Sequence, residues 1–264
     1  MPVKRTPSNR ATTPIKKSLN YVDWTEINEA LQSGTFESVL WLGRKKDVYN
    51  RCGRKIGTVE LVAFNHDEME SGERTMTTWV ATTSTIQSVM NSASATYCFG
   101  SNVGGWEKSE ARSFLNDYLF DQLSEDLRQV IKPVVKISDT GYHRDVKKRT
   151  SLCQTVDKLF LPSCAELGFD HPSIIPGQGT CYPGFTDKFK TMINKRCKRK
   201  DGKIYGENAW LRSSLISMIE PADAYSSADT EFGADCFWSI DPDGGLCDYT
   251  LAFEDFILPF AFCI

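Results

Sequence analysis

No stretch of this sequence approaches the roughly 18 consecutive apolar residues that a membrane-spanning helix needs. The first twenty residues carry Lys4, Arg5, Arg10, Lys16 and Lys17 but no apolar core, which excludes a secretory signal peptide. The expectation is a product that stays in the cytoplasm where it is made, unless another route releases it. Histidine is scarce, with only His66, His143 and His171, far apart in the chain. No C-x-x-C occurs, which argues against a zinc ribbon or a thioredoxin-type site. The phosphate-loop, dinucleotide, G-x-S-x-G and H-E-x-x-H patterns are also missing, so none of the common catalytic signatures offers a starting point. A net charge of −3 and a pI near 5.7 do not suggest a nucleic-acid binder.

What is present fits a globular chain with material for a sizeable core: 41% hydrophobic and 11% aromatic residues. Nine cysteines are numerous, but the number is odd and the spacing irregular. Without a secretion signal they are expected as reduced thiols serving as small buried hydrophobes. Residues 1–20 are basic, polar and aperiodic, and read as a flexible arm able to order against a partner. Residues 21–264 read as one domain.

Local patterns predict several elements. Asp23 caps a helix carrying Trp24, Ile27 and Leu31 on one face, ended by Gly34. Residues 39–42 read as a strand, 51–54 as a hairpin tip, and 58–64 as the returning strand. Ser109 caps a helix with Ala111, Phe114, Leu115, Tyr118 and Leu119 in one stripe, and Ser124 caps a second with Leu127, Val130 and Ile131. Pro133 stops that helix before a strand at 134–137, and 157–161 is another strand candidate. A third amphipathic helix is expected from Thr186. Short strands follow at 210–211, 236–240 and 257–264. Helices first and strands last point to an α+β protein.

Other signals have plain readings. Gly104 and Gly105 permit a tight turn that seats the Trp106 ring. The run from Asp241 to Gly245 superficially resembles a calcium loop, but its turn chemistry is explained more simply by a β-turn. The basic clusters 147–149 and 195–200 read as solvated loop charge. The C-terminal aromatics, including Phe237, Trp238, Phe253 and Phe260, read as core.

Eight segments together carry a resemblance. They are 41–48 (WLGRKKDV), 64–68 (FNHDE), 104–109 (GGWEKS), 112–116 (RSFLN), 123–131 (LSEDLRQVI), 157–163 (DKLFLPS), 210–213 (WLRS) and 259–264 (PFAFCI). In this order they resemble a family of bacterial and phage proteins from gut-associated Gram-positive lineages. The WLRS and terminal proline–aromatic patterns also resemble the wider group of formylglycine-generating enzymes and retroelement-diversified phage receptor-binding proteins. That resemblance implies a C-type-lectin-like fold, with amphipathic helices on a small mixed or antiparallel sheet, terminal strands as a rigid base and loops as the ligand surface. Two departures stand out. Ile257 and Leu258 occupy positions where the group usually has Arg or Gly, and the enzymes' paired active-site cysteines have no counterpart among Cys236, Cys247 and Cys263. The resemblance therefore carries a scaffold and no catalytic site. Physically, Trp210 can fill the core while Arg212 places a charged fork into a carboxylate or backbone carbonyls, and Ser163 with Glu166 can cap a short helix.

The expectation for function is a non-enzymatic, virion-associated binding protein: a fibre, decoration or receptor-binding component. It has no cofactor, metal or nucleic acid. Its partners would be a cell-surface glycan or protein, other virion proteins through residues 1–20, and copies of itself. The alternatives are a bacterial intracellular ligand-binding protein of the same fold and, ranked last, an oxidase of the formylglycine-generating type. Between Ser213 and Cys236 the chain is polar and aperiodic. It holds the candidate ligand residues Glu220, Asp223, Tyr225, Asp229, Glu231 and Phe232, with a plain surface insertion the equal alternative.

Overall fold

The computed structural model describes residues 18–36, 39–94, 96, 99–143, 151–185, 208–215, 234–242, 244–247 and 250–264. The expected helix from Thr186, the clusters 147–149 and 195–200, and nearly all of the basic arm lie outside the described residues. Leu19, near the end of the expected arm, belongs to the fold: it is buried in a short 3-10 turn, Leu19–Tyr21.

Helix α1 (Trp24–Gln32) buries Trp24, Ile27 and Leu31, as its 3.6-residue period predicts, and Gly34 turns the chain at φ 69°. The Trp24 ring meets Trp79 and Phe262 edge-on at 5.3 and 5.4 Å. Residues 39–42 are a turn rather than the expected strand, with Leu40 buried and Trp41 half-exposed. The strand comes three residues later, as β1 (Lys45–Tyr49), whose polar sequence hides it. Lys46 is buried there because its ammonium donates to the carbonyls of Leu19 (2.8 Å) and Val22 and lies over the Trp24 ring.

The tip at 51–54 and the returning β2 (Lys55–Phe64) form the hairpin expected, and β2 then pairs antiparallel with β3 (Thr77–Ser84). No apolar period announces β3, because its buried face is rich in threonine. The hydroxyls are paired: Thr78 donates to Asp67, Thr82 to the Thr58 carbonyl, and Thr77 accepts from the Trp79 indole at 3.0 Å.

The stripe after Ser109 folds as α2 (Glu110–Ser113), a π-helical turn (Phe114–Leu119) and α3 (Phe120–Gln122). Ser109 caps it by accepting the Arg112 amide at 3.1 Å. The wider turn buries Ala111, Leu115 and Leu119, four residues apart, and leaves Tyr118 58% exposed, against the single stripe expected. Helix α4 (Glu125–Val130) then leads through Pro133 into β5 (Val134–Asp139), as predicted. Its antiparallel partner is β6 (Leu152–Asp157). The expected strand at 157–161 is thus the end of β6 followed by a buried extended piece that touches Ala261 through Phe160.

Three sheets result. The antiparallel order is β1-β2-β3-β11, where β11 is Ala261–Cys263. A mixed sheet runs β4-β10-β7-β8-β9, made of β4 (Gln87–Ser88), β7 (Ala209–Ser214), β8 (Phe237–Ile240), β9 (Leu246–Cys247) and β10 (Phe256–Ile257). The β5–β6 hairpin is the third. The architecture is mixed α+β, with more sheet than helix, and strands come early as well as late. The chain crosses between the two larger sheets at residues 258–260, with Leu258 and Phe260 wholly buried. Trp210, Phe237, Trp238 and Phe260 are core, as expected, whereas Phe253 is 37% exposed and Phe232 lies outside the described residues.

Candidate functional site

The buried charges decide what is held still. Arg212 on β7 has no exposed surface. Its guanidinium donates from Nε to Ser138 Oγ (3.1 Å), from Nη1 to the Leu161 carbonyl (2.8 Å), and from Nη2 to the Gln178 carbonyl (3.0 Å). Two further bonds engage both oxygens of Glu166. This is the fork onto a carboxylate and backbone carbonyls that residues 210–213 predict. Ser163 and Glu166 bond reciprocally as foreseen, Ser163 Oγ accepting the Glu166 amide and Glu166 Oε2 the Ser163 amide, both at 3.1 Å, but they close a turn at 164–168 rather than the short helix expected.

Lys136 on β5 is equally buried. Its ammonium donates to Asp67, to Glu166 Oε1 (3.0 Å) and to the Tyr182 hydroxyl (2.9 Å), and it lies over the Phe160 ring. Burial alone would raise the Asp67 and Glu166 carboxyls. The neighbouring ammonium and guanidinium override it and hold both below the ordinary carboxylate range. Burial likewise opposes charge on Lys136, and Glu166 and Asp67 overcome it. The group is a charge-balanced cluster with its donors satisfied.

Above this cluster, two side chains gather the ends of the longer connecting segments. Asp139, at the end of β5, accepts the Gly141 amide on Oδ1 (2.8 Å) and the Ser214 amide on Oδ2 (2.9 Å). Asn102 donates its amide to the carbonyls of Leu215 (3.0 Å) and Cys236 (2.8 Å) and accepts the Tyr142 amide (3.0 Å). Its own backbone amide donates to the Ala234 carbonyl. The segments 144–150 and 216–233 therefore leave and rejoin the fold around one pair of buried side chains. Gly105, at φ 56°, makes this approach possible: a Cβ there would stand 2.0 Å from the Asp139 carbonyl oxygen. The same turn seats Trp106, whose indole donates to Asp157 at 2.9 Å. Burial pushes the Asp139 carboxyl up, despite its amide donors.

All six expected ligand residues, Glu220, Asp223, Tyr225, Asp229, Glu231 and Phe232, lie outside the described residues, and the structure places only the roots of their segment. Asn102 and Asp139 had no sequence signal beyond the turn-forming glycines beside them. The Asp241 run is a β-turn between β8 and β9: Asp241 Oδ1 accepts the Gly245 amide at 2.8 Å. Cysteine use is divided: Cys164, Cys236 and Cys263 are buried as expected, but Cys52 and Cys181 are exposed. Burial pushes the Cys164 and Cys263 thiols well up, which makes them poor nucleophiles.

Compared with known proteins, the chain matches the family described as domain of unknown function DUF6273 over residues 78–241, more than half its length. It belongs to that family. The DUF6273 span runs from β3 to the turn after β8 and contains Asn102, Asp139, Glu166 and Arg212, while β1, β2, Asp67 and β11 fall outside it. No curated protein and no solved structure matches the chain.

Proposed function

We propose that this DUF6273 protein is a non-enzymatic, virion-associated binding protein with a C-type-lectin-like fold, displaying its ligand surface on the segments rooted at Asn102 and Asp139. The observation that carries this reading is the convergence of those roots on one buried pair, above a locked ionic base. Binding loops positioned by a rigid scaffold have this arrangement. The pairing of β11 with β3 and the sheet crossing at 258–260 are compatible with terminal strands forming the base. The ligand would be a cell-surface glycan or protein.

Changing Tyr225 and Asp229 together to alanine tests the reading. Binding of the labelled protein to intact Gram-positive cells should fall, while stability stays within about 0.5 kcal/mol, the usual range for exposed positions. Unchanged cell binding, or unfolding in its place, would remove 216–233 as the ligand surface.

A further inference from the structure

Beside the loop roots is a small ledge built around the turn 251–255. Gly100, at φ 77°, lets the chain lie against Ala252 and Phe253, so that the Phe99 and Phe253 rings sit 5.8 Å apart. Both remain open to solvent, 46% and 37% exposed. Asp235 is tied to the same turn, its carbonyl accepting the Ala252 amide at 2.7 Å, and Glu254 and Asp255 complete it. The described charged side chains of this turn are all acidic, Asp235, Glu254 and Asp255, and the sequence from Ser213 to Ile264 holds no Lys, Arg or His.

The opposite composition is found at the other end of the chain. Residues 1–17 hold five Lys and Arg, three Pro and no acid. Arginine and proline are the side chains that pack well on exposed aromatic faces, and carboxylates beside those faces favour cations. The arm departs from Ser18, where Asn20 pins the chain to β1 by accepting the Asp47 amide at 2.8 Å. That is the outer edge of the four-stranded sheet, whereas the ledge is joined to β8 of the other sheet through the Cys236–Leu251 bridge. We infer that the basic arm of one copy docks on the Phe99–Phe253 ledge of a second copy. The contact is heterologous, arm to ledge, so it repeats from copy to copy and builds a ring or a row. An extended arm of this length reaches on the order of 55–60 Å, enough to span between neighbours. The inference rests on the binding reading only in treating this face as a docking surface, and it holds whatever the displayed segments recognise.

Sedimentation velocity of the full chain over a range of concentrations reads the contact directly. Self-association should weaken steeply with salt and be lost near about 1 M, where the screening length is only a few ångströms. Reversing Lys4, Arg5 and Arg10 to Glu should weaken it about tenfold, the equivalent of three modest ion pairs. Asp235→Lys with Asp255→Lys should do the same, and combining the two sets should restore association, which no general destabilisation would do. Asp255→Lys alone, at an exposed position, with an unchanged thermal midpoint guards against misfolding. A monomer at every concentration overturns the inference. So does undiminished association of the arm variant, or a monomer whose arm is protected from trypsin by its own ledge. Self-association of the Tyr225 and Asp229 double-alanine variant separates this result from the fate of the proposed function: it should persist whether or not that variant still binds cells.

Discussion

Glu166 is the residue on which most of the buried polarity turns, because it faces Arg212 and Lys136 at once. Replacing it with Gln leaves two buried cations short of an anion, and urea denaturation should show a loss of about 3–5 kcal/mol, the usual result of breaking a buried pair from one side. Asn102→Ala acts differently. It strips a donor from the Leu215 and Cys236 carbonyls and an acceptor from the Tyr142 amide, for a loss of about 1–3 kcal/mol. Its clearer signature is faster amide exchange at Tyr142 and at residues 215 and 234–236 together, with α4 unchanged. Exchange that rises at one root alone would show that Asn102 does not couple them. The Arg212 fork and the Ser163–Glu166 pair were legible in the sequence because each is a short-range pattern with one chemical solution. Asn102 and Asp139 were not, since their partners come from chain far away, and an Asn or Asp beside glycines reads simply as a turn.

At the scale of elements, α1, α4 and β5 could be read from apolar period and the hairpin tip from its turn residues, whereas Asp23 and Ser124 hold the N-cap positions without the side-chain bond expected of a cap. The elements missed share a different physics. β1 buries the stem of Lys46, and β3 buries threonines. In each, hydrogen bonds supplied by other parts of the chain replace the hydrophobic signal. The arm boundary makes a testable distinction. Removing residues 1–17 should leave the thermal midpoint unchanged, whereas removing residues 1–20 should lower it by several degrees, because Leu19 is buried and Asn20 holds β1. A change of about 1–2 kcal/mol corresponds to such a shift in a domain of this size. Equal midpoints for the two truncations would show that the 3-10 turn contributes nothing.

For the molecule as a whole, the two kinds of buried carboxyl set opposite pH dependences. Asp67 and Glu166 are held below their unfolded values, so their stabilisation is present above the unfolded pKa and is lost as pH falls through the folded one. Asp139 is raised, so its contribution is full below the unfolded pKa and is lost as pH rises through the folded one. Asp139→Asn should therefore flatten the stability profile above the ordinary carboxylate range while leaving the fall at strong acid in place. Denaturant midpoints measured across that range would show it, and a profile identical to the parent's would contradict the assignment. The sheet crossing at 258–260 has a consequence in time rather than in space. β3 acquires its outer neighbour only when Ala261 to Cys263 have been synthesised, far later in the chain. Until then the nascent protein holds an open strand edge and an unfilled place for Phe262 against Trp24. Folding is thus gated by completion of translation through residue 263, and a ribosome stalled in the C-terminal stretch leaves a chain exposed to edge-to-edge aggregation.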